Sequence, residues 1–430
     1  MDTQRCPYRL DPAGADLHAE TAALRAAGPA APIELPGGVP AWSVTDPALI
    51  KRLLTDPRIS KDARRHWSAD LAGEIPADWP LRMWTDVRNA LTAYGDEHGR
   101  LRRLIGPAFT ARRIRALTPR IEAIAADLLD RLAAHPPGRV VDLRAEFTWV
   151  LPLMVVNTLL GVPDSMHDAF RSTIGRLFET ATGPEEALRN GEAVYAQLAL
   201  LVEAKRAEPG EDVTTALIQA RDEETGTGLD ERELLDSLLL LIGAGHETTV
   251  NLLGSAVVQL LAHPGQLDAL RTDPARWPDA VEETLRLQPP VANILPRFAV
   301  EDVHDEATGL TFARGDLLVV NFLATGRDTA LHGEDAARYD HTRATRRDHL
   351  SFGHGVHYCL GAELARLESR IALAALFDRF PRLALAVPAD GLRPLESFIS
   401  NGPRELPVLL HGGGPGSTIR DGWRERAVAQ

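Results

Sequence analysis

A mainly α-helical fold with a small β region is predicted by three observations. Five segments carry apolar residues at i, i+3, i+4 spacing, the strand-like pieces are short and fall early or late, and no βαβ alternation joins them. The helical segments are 119–134, 145–160, 184–207, 232–261 and 359–380, each with Pro or Gly near an end. The strand-like pieces are 41–44, 295–300, 317–322 and 406–410. No linker and no internal repeat divides the chain, so residues 1–411 read as one domain. Residues 412–430, rich in Gly and charge, read as a disordered tail.

The 430 residues carry a net charge of −13, which argues against nucleic acid as a partner. Two cysteines, Cys6 and Cys359, lie far apart in a chain with no secretory pattern. A disulfide is therefore not expected, and a reducing, cytoplasmic location fits best. The first ten residues are polar, without the apolar stretch of a signal peptide. No uncharged apolar run reaches the roughly 18 residues a membrane span needs. Residues 237–245 come nearest and run into His246-Glu247. A soluble chain with no membrane contact is expected, acting as a monomer.

Cys359 sits in the string Ser351-Phe-Gly-His-Gly-Val-His-Tyr-Cys359-Leu-Gly361. Gly353, Gly355 and Gly361 permit a tight turn beside a flat macrocycle, whose iron takes the sulfur as a thiolate. Backbone N–H groups of the turn and the start of a helix near Cys359 would stabilise the negative sulfur. The competing reading is a buried cysteine acting as a small hydrophobe, and Phe352, Gly355, Cys359 and Gly361 at these spacings weigh against it.

A second string, Leu238-Leu-Leu-Leu-Ile-Gly-Ala-Gly-His-Glu-Thr-Thr249, lies inside the longest helical segment. Gly243 and Gly245 cost about 1 kcal/mol each there, and neighbouring threonines can bond back to the preceding turn. Together they predict a bent helix or an opened hydrogen-bond ladder. The alternative is a helix–helix contact needing small residues, which leaves the buried acid Glu247 without a task. A third feature, Glu283-Thr-Leu-Arg286, means nothing by spacing alone, since Glu-x-x-Arg also begins at Glu97, Glu186, Glu203 and Glu363.

The cysteine string resembles the haem-binding loop of cytochromes P450, Phe-x-x-Gly-x-x-x-Cys-x-Gly, in the soluble bacterial version. Ala244-Gly-His-Glu-Thr-Thr249 resembles that family's oxygen-binding segment, and Glu283–Arg286 its buried ion pair. Residues 34–42 and 53–62 look like actinobacterial members that tailor polyketides and steroids. The resemblance covers about 11–410 and implies the P450 fold, with haem b held by Cys359 and O2 as co-substrate.

It also implies roles. Thr248 would hydrogen-bond dioxygen and Glu247 would relay protons, since O–O cleavage consumes two protons in a dry site. Leu241 and Ala244 would roof the haem, Phe352 and Gly361 would flank the thiolate, and His98, Arg102, Arg297 and His357 would hold the propionates. Arg343, with Arg338 as competitor, would join Glu283 and Arg286 in a structural network. Trp84, Val87, Leu241, Val291, Ala292, Ile294, Phe398 and Ile399 would line the substrate pocket. One departure is Gly326-Arg-Asp328, where members often have Asn-Arg-Asp.

From His98 to Arg120 the chain holds seven arginines and no acid. A solvated helix face explains such a run, and so does a docking patch for an acidic ferredoxin on Arg100–Arg120, extended by Arg366 and Arg370. The expected activity is insertion of one oxygen atom into a bulky hydrophobic molecule such as a macrolide, another polyketide or a steroid. Its electrons would come from an external ferredoxin and reductase. The rivals are a peroxygenase or an oxidative coupling or cyclisation enzyme on the same fold, and a haem sensor or carrier without turnover.

Overall fold

The computed structural model describes residues 7–177 and 184–412. Cys6 and nearly all of the expected tail lie outside them. The helical predictions reappear as helices Thr118–Ala133, Val150–Leu160, Pro184–Ala207, Glu231–Ala262 and Ala362–Arg379. Two beginnings differ. A π-helical turn, Arg144–Thr148, precedes Val150–Leu160, and the last helix starts three residues after Cys359.

The helix Glu231–Ala262 is the spine. A reciprocal capping box of Asp230 and Glu233 starts it, and it packs against Val150–Leu160, Trp277–Leu287 and Ala362–Arg379. Leu252, Leu253, Ala256, Val257 and Leu260 from its second half join Leu128, Phe147, Leu285, Leu373 and Phe377 in the largest apolar cluster. The chain stays helical through Gly243–Thr249, so the expected opening of the ladder does not break the helix, and the threonine's back-bond is what the structure shows there. Thr248 Oγ1 donates to the Ala244 carbonyl at 2.6 Å. Gly245 serves the helix–helix contact, because a Cβ there would meet Val156 Cγ2 at 3.2 Å.

Six strands form the main sheet, in the order Tyr8–Arg9, Ala30–Leu35, Val39–Val44, Leu317–Asn321, Asn293–Ala299, Ile59–Ser60. The four strands predicted from sequence are all present, the fourth as Pro407–Leu409 in a separate three-stranded sheet with Ala384–Leu385 and Val140–Asp142. Against Leu317–Asn321 the register of Asn293–Ala299 slips between Ile294 and Arg297. In a regular strand residues three apart face opposite sides. The irregularity, with Pro296 inside it, turns Ile294 and Arg297 into one cavity.

Candidate active site

Between the spine helix, the Asn293–Ala299 strand and the cysteine loop lies a cavity of about 2170 Å³, including its mouth. Cys359 lines its floor. The loop is held from behind: Cys359 N–H donates to the Phe352 carbonyl at 2.8 Å, and Gly353 and Gly355 take φ of +73° and +72°. At Gly355 a Cβ would also sit 2.5 Å from the Leu54 carbonyl, so only glycine lets the loop close on helix Pro47–Thr55. Gly361 differs from expectation, having an ordinary φ of −87° and open space around it. Its contribution is its N–H, which donates to the sulfur. Burial raises the Cys359 thiol above its usual value, while the Gly361 N–H, Arg102 and Arg366 favour the thiolate.

Leu241, Ala244 and Thr248 line the roof. Glu247 is 7 % exposed, and burial raises its carboxyl above the ordinary value. Arg144 opposes that shift, its Nη2 lying 3.1 Å from Glu247 Oε1, and the neighbouring Asn251 amide acts in the same direction. Arg144 itself reaches Asn251 Oδ1 at 3.0 Å. This buried Arg144–Glu247–Asn251 triad was not legible in sequence, where Arg144 is one arginine after a short strand. The π-helical turn that begins at Arg144 brings it to the spine. Glu368, another buried acid on the cavity wall, has an unpartnered Oε2, and burial alone pushes its pKa far up, favouring the protonated form.

At one end of the cavity three of the four expected propionate ligands, Arg102, Arg297 and His357, line the wall, and His98 packs against His357. The rings of His98 and His357 lie 4.1 Å apart, Arg102 Nη2 reaches the Tyr358 carbonyl at 3.3 Å, and Arg297 is 6 % exposed. His98 Nε2 and Arg297 Nη1 are buried without partners. Burial holds His98 down at about 4 and Arg297 at about 10. Buried donors left unmatched by protein fit a ligand that brings anionic oxygens, as haem does. Lys61, absent from the expected set, lines the same cavity.

Trp84, Val87, Val291, Ile294 and Ile399 line the remaining space with Leu241. Ala292 and Phe398 do not. Both pack into the core with Leu295, Phe298 and Leu323, because in the paired segments 291–292 and 398–399 successive side chains face opposite ways. Residues not foreseen there include Ala90, Leu91, Phe109, Val156 and Leu159. Asn89 and Thr92 also face the cavity, and their polar groups are engaged with the Asp236 and Val87 carbonyls.

Behind the cysteine loop Glu283 and Arg286 are fully buried and joined by two 2.7 Å bonds. Arg343 is the third member, with Nε 3.5 Å from Glu283. Arg338 contributes its carbonyl to both arginines. Arg286 also donates to the Gly326 carbonyl. A Cβ on Gly326 would lie 1.7 Å from the Arg286 carbonyl oxygen, so the departure at 326 belongs to this packing.

Next to them, burial pushes the Glu282 carboxyl up, but hydrogen bonds from His349 and Arg366 outweigh it and hold the pKa at about 2. A folded value below the unfolded one stabilises fully above the unfolded pKa, and the gain is lost as pH falls toward 2. Glu282→Gln is expected to cost about 2–3 kcal/mol at neutral pH and to flatten the acid limb of the unfolding curve. Identical acid midpoints for the two proteins would dismiss that role.

Fold and cavity together define the class of haem-thiolate proteins. Residues 278–387 match the cytochrome P450 family model. The chain is 43% identical over 407 residues to 2-hydroxy-5-methyl-1-naphthoate 7-hydroxylase of Streptomyces carzinostaticus, covering 95% of this chain and 98% of that one. It is 38% identical over 406 residues to 6-deoxyerythronolide B hydroxylase of Saccharopolyspora erythraea, covering 92% and 96%. Among solved structures, CYP154A1 of Streptomyces coelicolor superposes with a TM-score of 0.87 at 48% identity, covering 94% of this chain and all of that one. A testosterone-bound CYP154C4 from a Streptomyces species gives 0.90 at 44%, covering 95% and 99%. The chain belongs to the cytochrome P450 family and is a P450 monooxygenase.

Proposed function

We propose that this monooxygenase hydroxylates a bulky, neutral, largely hydrophobic molecule of steroid or macrolactone size, using electrons from an external ferredoxin and reductase. The lining carries this reading. Away from the cationic end, Glu247 and Glu368, the cavity walls named above are apolar, and the polar groups of Asn89 and Thr92 are engaged. A large neutral surface is what such walls desolvate at little cost. Relatives that act on 6-deoxyerythronolide B or bind testosterone point the same way.

Bound haem would supply oxygen activation, held through the Cys359 thiolate with His98, Arg102, Arg297 and His357 toward its propionates. The chain's own part is to exclude water with its aliphatic walls, to offer the Thr248 hydroxyl as a lone-pair acceptor, and to hold a proton at Glu247. The acid–alcohol pair favours the dioxygen route over a peroxygenase, and equal rates with hydrogen peroxide and with a reductase system would reverse that preference. The substrate class is tested by titrating neutral steroids, macrolactones and aromatic carboxylates against the haem Soret band. Spectral shifts with the neutral rings are expected. Shifts confined to carboxylates would overturn the neutral assignment.

The docking patch is narrower than the arginine run. Arg100 is paired with Glu233, Arg103 with Asp222 at 3.0 Å, and Arg366 with Glu282 at 2.6 Å. Arg112, Arg113, Arg115, Arg120 and Arg370 are exposed. Charge reversal at Arg112 and Arg113 is expected to slow ferredoxin-driven turnover about tenfold at low salt, with the gap closing as salt rises. Unchanged turnover across donor concentrations would remove the patch. No helix among the described residues is long and apolar enough to cross a membrane.

A further inference from the structure

Two buried cations share the strand wall of the cavity. Lys61 follows the short strand Ile59–Ser60, is 2 % exposed, and lines the cavity with Arg297. An ammonium has three N–H donors. Among the described residues Lys61 makes one hydrogen bond, a long one of 3.3 Å from Nζ to the Leu295 carbonyl. Arg297 has an unpartnered buried Nη1. Burial disfavours the charge on both, and Arg297 further disfavours that on Lys61. No carboxylate is among the groups acting on either of them. Buried charge of one sign persists only when an opposite charge meets it.

A lysine kept merely to cap the Leu295 carbonyl would be a poor choice, since a neutral amide would do so without burying charge. The other groups at this end do not supply the missing anion. Arg102 is a cation, and His98 is held neutral by burial, with a pKa of about 4. The counter-charge therefore has to come with the ligand.

We propose that Lys61 is an anchoring residue for the haem, its ammonium and the Arg297 guanidinium together balancing the two propionate charges. Arg102 and the histidines then serve as further hydrogen-bond donors around carboxylates whose charge is already matched. This rests on the haem-binding reading of the cavity and adds to it a residue outside the expected ligand set.

Two neutral variants of the holoenzyme test the proposal. Lys61→Met keeps length and volume without charge, and Lys61→Gln keeps a donor for the Leu295 carbonyl. Haem transfer to excess apomyoglobin and the haem midpoint potential are read for each, with circular dichroism as a check on folding. Both variants are expected to lose haem about 10- to 100-fold faster than the wild type, and both potentials to fall, because a cation beside the propionates favours the ferrous form. Lys61→Arg should restore both readings toward the wild type. If Lys61→Gln retains haem at the wild-type rate and potential, Lys61 is only a carbonyl cap and the proposal fails. Should Lys61→Met not fold, Lys61→Gln and Lys61→Arg decide between them. The reduced-CO spectrum separates the two levels: a wild type without a thiolate band defeats the haem-thiolate reading, whereas a normal band with unchanged haem retention in the variants defeats the role of Lys61 alone.

Discussion

Glu247→Gln is expected to lower substrate turnover about 100-fold while leaving the substrate-induced Soret shift near its wild-type amplitude. The amide matches the carboxyl in shape and can still accept from Arg144, so packing around the spine helix is preserved. What disappears is the ability to take up and release a proton at that position. Burial raises the Glu247 carboxyl, bringing it closer to neutral pH than an exposed glutamate and better able to alternate between its two forms. The solvent deuterium isotope effect on turnover should rise in the variant, and more of the electrons consumed should end as hydrogen peroxide. Arg144→Met should act in the same direction through Glu247, removing the cation that holds the carboxylate and raising its pKa further. Full turnover in Glu247→Gln would mean that protons reach the site by another route.

Arg286→Met is expected to yield little folded, haem-containing protein. The substitution leaves the fully buried Glu283 with the Asp340 N–H at 2.8 Å and a single cation, Arg343, at 3.5 Å, and it takes the Arg286 donor from the Gly326 and Ala336 carbonyls. Breaking a buried pair of this kind costs about 3–5 kcal/mol, against a total stability of about 5–15 kcal/mol for a typical domain. Arg286→Lys should rescue little, because a point charge cannot replace a planar fork that meets a carboxylate and several carbonyls at once. Removing both charges with Glu283→Met and Arg286→Met should be less damaging than the single change, since no buried charge is then stranded. Thermal melts and haem content per chain measure all three. A single variant as stable as the wild type would show that this network does not hold the cysteine loop.

The features legible in sequence are those whose chemistry is local. The cysteine loop compresses its turn, its N–H donor and its sulfur into eleven residues, so spacing alone exposed it. The helices were readable because their apolar stripes repeat along the chain. Lys61 and Arg144 were not, since each is an ordinary surface residue until a distant strand or helix closes over it. Ala292 and Phe398 were placed one step out of phase: strand neighbours differ by face, and the pairing that selects the face lies far away in sequence. The arginine run is legible as charge, but the pairing within it is not, because Glu233 and Asp222 come from elements far along the chain to meet Arg100 and Arg103.

The slipped register between Ile294 and Arg297 ties two selection pressures to one backbone irregularity. Three steps on this strand oppose two on its partner, and a regular strand of the same length would send either Ile294 or Arg297, which both face the cavity, to the other side. The side chain at 294 can therefore be exchanged without disturbing Arg297, whereas a change that flattens the bulge turns one of the two away from the cavity. A library aimed at new substrates should accordingly vary the side chain at 294 and leave the bulge around Pro296 untouched.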